Sequence, residues 1–139
     1  SRNRRYGRPF TLAYLDIDNF KQVNDRLGHG AGDLLLKKVA QVLKNSLRNT
    51  DVVARMGGDE FAVLMPETAD DAGRSVLQRM RESLLADVRK KDGSPVTFSI
   101  GALTFRKSPE SLEEAIKNVD RLMYDVKSAG KNNLKTAVY

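Results

Sequence analysis

Two short segments of the chain concentrate acidic side chains where the backbone would present them. Asp16 and Asp18 sit at the end of an apolar, β-rich run over residues 10–17 (FTLAYLDI), and Asp59 and Glu60 directly follow the pair Gly57-Gly58. If the first segment lies beside the second in one sheet, three or four carboxylates converge at one sheet edge. Such a cluster repels itself unless a cation or a shifted pKa relieves it. The chain has no cysteine and one histidine, His29, so the available ligands are hard oxygens, which favour Mg²⁺ or Mn²⁺. Magnesium fills its octahedron with waters and substrate phosphates, which makes a nucleoside triphosphate the natural guest. Each acid taken alone reads as a solvated residue at a strand end or hairpin tip; the argument for chemistry rests on the set.

Several elements must position that set. Residues 10–17 read as a buried strand. Residues 18–27 read as a short helix with Phe20, Val23 and Leu27 on one face, and Gly28, Gly30 and Gly32 bracket a turn. A longer helix follows, with Leu36, Val39, Ala40, Leu43 and Leu47 at helical spacing. Residues 51–56 and 60–65 are short strands joined by Gly57-Gly58-Asp59, a tight connection with hairpin chemistry, and Pro66 ends the second. A third helix is predicted over 70–89, with Ala72, Val76, Met80 and Leu84 in line, then a turn at Asp92-Gly93 and a strand over 96–105. Ser108-Pro109 is a helix start signal, and Leu112, Ile116, Val119, Met123 and Val126 form that helix's buried stripe. Gly130 stops it, and residues 134–139 form a last edge strand. The order β-α-α-β-β-α-β-α-β predicts an α+β fold, an antiparallel-rich sheet with helices packed on it.

Length and composition bound the alternatives. The 139 residues form one ordinary domain, 1–139, with 40% apolar and 30% charged residues, a globular composition. No apolar run approaches the ~20 residues of a membrane span. The net charge of +6 is uneven: four of the 24 basic residues, Arg2, Arg4, Arg5 and Arg8, lie in an acid-free arm over residues 1–9, and the remaining 20 face 18 acids. A short basic arm on a balanced body predicts a solvated terminus rather than a nucleic-acid reader.

The residues also resemble a known family. Residues 55–61 (RMGGDEF) resemble the signature hairpin of GGDEF domains, the diguanylate cyclases. Residues 15–25 (LDIDNFKQVND) are similar to that family's first strand and helix, 28–33 (GHGAGD) to its glycine turn, and 124–132 (YDVKSAGKN) to the end of its C-terminal helix. Together the motifs cover the chain from about Arg5 to Leu134 in the family's order and spacing.

The resemblance implies a palm-like nucleotidyl cyclase fold that condenses two GTP into cyclic di-GMP and two pyrophosphates, a step of bacterial second-messenger signalling. Each protomer would hold one GTP, and a transient homodimer would let the 3′-hydroxyl of one attack the α-phosphorus of the other. By family position, Asp16, the Ile17 carbonyl and Asp59 would bind Mg²⁺ or Mn²⁺. Glu60 would join a second metal and help remove the 3′-hydroxyl proton, as in other two-metal sites. Gly57 and Gly58, without Cβ atoms, would let backbone approach the α-phosphate side. Lys21, the N–H groups of Asn19 and Phe20 at a helix N-terminus, and Lys127 and Lys131 would meet phosphates. Asp33 and Asn24 would read the guanine edge and reject adenine. Arg48-Asn49-Thr50-Asp51 is an R-x-x-D string with five residues between Asp51 and Gly57, the spacing at which the family carries a product-inhibition site for cyclic di-GMP, and Arg79 would complete that site.

Three departures accompany the resemblance. Met56 stands where the family commonly has tyrosine and reads as a structural side chain. Lys131 replaces a common arginine, keeping charge but losing the planar fork. Of an upstream D-x-L-T-G-L-x-N-R-R motif only Asn3-Arg4-Arg5-Tyr6 echoes the end, so the chain is expected to be a fragment of a longer sensor protein that lacks its dimerisation device. The expected location is cytoplasmic, on a parent that can be membrane-anchored, with no direct membrane contact and no nucleic-acid partner. The alternative is a GGDEF module acting as a receptor for cyclic di-GMP or GTP; the intact Asp59 and Glu60 favour the enzyme. A mixed guanine–adenine product is a further alternative, against which Asp33 argues.

Overall fold

The acid-bearing first strand becomes the centre of the sheet. In a computed structural model, which describes residues 8–89 and 96–139, β1 spans Phe10–Asp18. It pairs antiparallel with β3 (Glu60–Met65) on one side and β4 (Thr97–Phe105) on the other. β2 (Val52–Gly57) adds antiparallel to β3, and β5 (Leu134–Val138) runs parallel to β4, giving the order β2-β3-β1-β4-β5. The helices are α1 (Phe20–Leu27), α2 (His29–Ser46), α3 (Asp70–Leu84) and α4 (Leu112–Ser128). This is the predicted α+β fold, mostly antiparallel and in the predicted element order. Arg8, the last arginine of the basic arm, pairs with Glu67 at 2.6 Å. The arm through Gly7 and the turn at Asp92-Gly93 lie outside the described residues.

Both faces of β1 are covered, so every residue from Ala13 to Asp18 is buried. Ala13, Leu15 and Ile17 pack with Val63, Phe98 and Ile100 under Val39 and Leu43 of α2 and Leu77 and Met80 of α3. Tyr14 packs with Leu103 and Phe105 under Val119, Leu122 and Met123 of α4. The close approach of α4 depends on Gly101: a Cβ there would lie 2.8 Å from Met123 N and 3.1 Å from the Leu122 carbonyl carbon. Backbone atoms yield less readily than side-chain tips. Gly101→Ala is therefore expected to destabilise the fold by about 1–3 kcal/mol, read as a lower urea midpoint at unchanged slope. An unmoved midpoint would show that α4 is not held so tightly.

Four local expectations are corrected. The turn expected over Gly28, Gly30 and Gly32 is Gly28 alone (φ 90°), which ends α1 by donating to Asn24 O at 2.9 Å and opens α2. One residue in the left-handed region reverses the chain, so Gly30 and Gly32 fall inside α2. The third helix is α-helical only to Leu84 and finishes as a π turn over Leu85–Arg89. Its buried stripe is Gly73, Leu77, Met80 and Leu84, so Ala72, one position off, is exposed. The last helix starts at Leu112 and not at Pro109, because Ser111 caps it: Ser111 Oγ accepts from Glu114 N at 3.1 Å. Leu112, at the first helical position, is 74% exposed, and Ala115 takes the buried place expected of it.

Candidate functional site

Strand register builds the site. The β1–β3 pairing sets Asp16 opposite Glu60, and the β1–β4 pairing sets Asp16 opposite Ser99. Directly opposed residues share a sheet face, so Glu60, Asp16 and Ser99 form one row on the face that α4 covers. The β2–β3 connection is a two-residue turn, Gly58-Asp59, between the paired Gly57 and Glu60. Gly58 is left-handed (φ 38°), and Arg55 Nε and Nη2 donate to its carbonyl at 3.0 and 2.9 Å. Ile17 N donates to Asp59 O at 3.0 Å, which docks the hairpin tip on the end of β1. A Cβ at Gly57 or Gly58 would meet nothing within 4 Å, so the space beside both is open. Met56 is not the structural side chain expected: it sits at the register shift between Arg55 and Gly57 and is 55% exposed. β2 is an edge strand exposed at five of its six residues, and Met56 shares that exposure.

Asp16 is 5% exposed. Its Oδ2 pairs with Lys127 Nζ from the last turn of α4, and its Oδ1 is enclosed without a hydrogen-bond partner. Burial, and then the charge of Lys131, pulls the Lys127 ammonium below the usual lysine range. Burial first, then Asp120 and Asp59, pushes the Glu60 carboxyl up. Asp120 was not anticipated. Its one signal in the sequence is that it lies seven residues before Lys127, two helical turns along the same face.

A raised carboxyl pKa has a definite sign. Folding disfavours the charged form of Glu60, so stability is reduced above the unfolded pKa and recovered as pH falls through the folded one. Asp120→Asn is expected to lower the Glu60 midpoint in carbon-13 carboxyl titrations without divalent cation. It should stabilise the protein at neutral pH and leave it unchanged near pH ~3, below the ordinary carboxylate range. An unmoved Glu60 midpoint would mean that the two carboxylates do not interact.

The expected convergence of three or four carboxylates is corrected. Asp18 has its own donors: Thr97 Oγ1 at 2.7 Å, Ser99 Oγ at 2.8 Å and Asn132 N at 3.0 Å. It is 4% exposed and ties the end of β1 to β4 and to the turn before β5. Among the described residues, no three acidic or histidine side chains stand close enough to hold a metal ion as a ready group. In this arrangement Lys127 supplies the charge that compensates Asp16. The donors at Asp16 nevertheless suit a hard divalent cation. Its Oδ1 lacks a partner, Glu60 is its neighbour in register, and positive charge already occupies its other oxygen.

Around this edge the remaining predicted residues fall as follows. Asn19 precedes α1 in left-handed conformation (φ 65°, ψ 22°), with no side-chain cap and no acid in the first turn, where Phe20 and the exposed Lys21 lie. Asn24 Oδ1 is enclosed without a partner and lies against Gly32, where a Cβ would come within 1.8 Å of it. Asp33, next in the chain after Gly32, is exposed. Lys131 follows α4 at φ 64°.

Arg48 and Asp51 are paired with each other. Arg48 N and Nη2 donate to the Asp51 carboxylate at 2.9 and 3.0 Å. The same Nη2 reaches Pro66 O at 2.9 Å and Thr68 Oγ1 at 2.8 Å. Arg79 lines a different hollow, on α3, with Arg74, Gln78 and Glu82. Among the described residues no helix is long and apolar enough to cross a membrane.

Comparison with known proteins places this arrangement. A family model described as "Diguanylate cyclase, GGDEF domain" matches residues 1–133. Diguanylate cyclase DgcP of Pseudomonas aeruginosa is 40% identical over 138 residues, 99% of this chain and 21% of that protein. Cyclic di-GMP phosphodiesterase NbdA of the same species is 37% identical over 131 residues, 91% of this chain and 16% of that protein. The crystal structure of the GGDEF domain of DgcB from Caulobacter crescentus in complex with c-di-GMP superposes with a TM-score of 0.84 at 29% identity, covering 97% of this chain and 81% of that one. The chain thus spans about a fifth of the curated relatives named here.

Proposed function

Because the chain belongs to the GGDEF domain family of diguanylate cyclases, within cyclic di-GMP signalling, we propose that it is itself a cyclase, condensing two GTP into cyclic di-GMP across a transient homodimer. The observation that carries this reading is the buried Asp16, with one oxygen lacking a partner and the other on Lys127, in register with Glu60 at an open glycine hairpin.

In this reading Asp16, the Ile17 carbonyl, Asp59 and Glu60 would hold Mg²⁺ or Mn²⁺. When bound, the cation supplies positive charge to the phosphate oxygens and acidifies the attacking hydroxyl. Gly57 and Gly58 leave room for the α-phosphate beside the hairpin. Lys21 and the first-turn N–H groups at Asn19 and Phe20 bind phosphate, as helix N-termini do. Lys127 and Lys131 bind the terminal phosphates, with Lys127 leaving Asp16 for its new partner. Asn24 Oδ1 and Asp33 accept from the guanine edge, where adenine would leave them unpaired. Glu60 takes the 3′-hydroxyl proton as that oxygen bonds to the α-phosphorus of the facing GTP and pyrophosphate leaves. The same step in the other direction closes the ring.

The test is incubation with GTP and Mg²⁺ followed by separation of products. One cyclic di-GMP and two pyrophosphates for every two GTP support the reading, with ATP unchanged. Cyclic di-GMP that binds but is never made would favour the receptor reading.

Product inhibition at Arg48, Asp51 and Arg79 is the second part of the proposal. Arg48 would exchange its contacts to Asp51, Pro66 and Thr68 for guanine and phosphate of the product. Arg48→Ala is expected to keep turnover and to raise the half-inhibitory concentration of cyclic di-GMP by roughly tenfold or more. That is the effect of losing one charge-assisted pair of about 1.5–3 kcal/mol. Inhibition unchanged in this variant would remove the site from Arg48.

A further inference from the structure

Three consecutive residues after α4 have positive φ: Gly130 (116°), Lys131 (64°) and Asn132 (50°). A left-handed conformation is disfavoured for residues other than glycine and persists where surrounding structure enforces it. Part of the enforcement is local, since Lys131 N donates to Val126 O at 3.0 Å. The rest comes from distant elements and converges on Asn132. Its N–H donates to Asp18 Oδ2 at 3.0 Å and to Ser99 Oγ at 3.1 Å. Its carbonyl accepts from Arg81 Nη2 at 2.6 Å, and its side-chain oxygen accepts from the same nitrogen. Arg81 Nε is fixed in turn by Phe98 O at 3.2 Å. Asn133 O accepts from Ile100 N at 2.9 Å, which starts β5 immediately afterwards.

We propose that Arg81 is a positioning residue: with Asp18 and Ser99 it clamps the Gly130–Asn132 turn so that Lys127 and Lys131 face the Asp16 edge. Arg81 belongs to α3, which packs on the sheet face opposite α4, so the contact joins the two helical layers at this turn. The turn holds both lysines. Lys131 lies within it, and Lys127 Nζ, one helical turn earlier, rests on Asp16. Gly130 N donates to Lys127 O at 3.3 Å, so a shift of the turn moves the backbone of Lys127 as well. A planar guanidinium suits the task because its Nε and Nη2 address two carbonyls at fixed separation, which a lysine cannot do. This inference rests on the proposal that the two lysines bind the terminal phosphates of GTP.

The experiment uses the whole chain with Mg²⁺ and measures binding of GMP and of a GTP analogue with an uncleavable α,β bridge. In Arg81→Ala, analogue affinity is expected to fall about tenfold, or about 1.4 kcal/mol. GMP affinity should stay within about twofold, and exchange of the Asn132 amide should speed up. General loss of folding would lower both affinities together, so the analogue-to-GMP ratio separates positioning from mere stability. Arg81→Lys, which keeps the charge, is the second variant should Arg81→Ala fail to fold. It is expected to lose part of the ratio, because lysine cannot span both carbonyls. A folded variant with wild-type ratio and wild-type Asn132 exchange would overturn the inference. Faster Asn132 exchange in the variant, with no preference for the analogue over GMP in the wild type, would overturn the phosphate assignment and leave the clamp standing.

Discussion

Asp16→Asn is expected to reduce cyclic di-GMP formation by on the order of 10³-fold, the scale seen when a preorganised electrostatic contact to the transition state is removed. The substitution keeps side-chain volume and removes the charge that Lys127 now compensates and that would hold the cation. Folding should survive. Lys127 loses its partner, but its side chain is 42% exposed and can turn to water. Asp16 Oδ1 makes no hydrogen bond, so none is lost there. Product assays beside thermal melts check both halves. A folded variant with wild-type turnover would remove Asp16 from the chemistry.

Asp18→Ala is expected to have the opposite profile, with a loss of stability of about 3–5 kcal/mol. Asp18 is two residues from Asp16 on the same strand and face, yet each of its oxygens has donors. Removing the carboxylate strands the hydroxyls of the buried Ser99 and the half-buried Thr97, and leaves the Asn132 amide with Ser99 Oγ alone. Unsatisfied buried donors carry their full desolvation penalty, which is why the effect exceeds that of one surface hydrogen bond. For a domain of this length the melting temperature should fall by roughly 10 °C or more. A melt within a couple of degrees of wild type would show that these donors find water or other acceptors.

The contrast between these two aspartates marks how far the sequence could be read. Strand and helix order followed from apolar periodicity and glycine punctuation, and the register of Asp16 with Glu60 bears out the idea of neighbouring strands. Which acid does what was not legible. Asp18 is assigned by donors 79, 81 and 114 residues away in the chain, and no local pattern announces partners so distant. Arg81 was hidden for the same reason: on α3 it reads as a surface arginine, and only the fold brings Phe98 O and Asn132 to it. Asp120 was missed because an acid on a helix reads as solvated until a strand is laid beneath it. The errors at helix ends have smaller causes. Ser111 rather than Ser108-Pro109 opens the helix, since Ser111 Oγ accepts from Glu114 N while the Glu114 carboxylate accepts from Glu110 N just ahead of it. The stripe of α3 holds at Met80 and Leu84 and fails at Ala72, because Gly73, without a side chain, is the contact made against Thr11.

The most direct test of the central claim is the rate of cyclic di-GMP formation from GTP and Mg²⁺ across a wide range of protein concentrations. The proposed chemistry needs two GTP-loaded protomers to meet, so specific activity should rise with protein concentration and level off once dimers dominate. No cyclic di-GMP at any concentration, from a protein that still binds it, would contradict the cyclase and leave a receptor in its place.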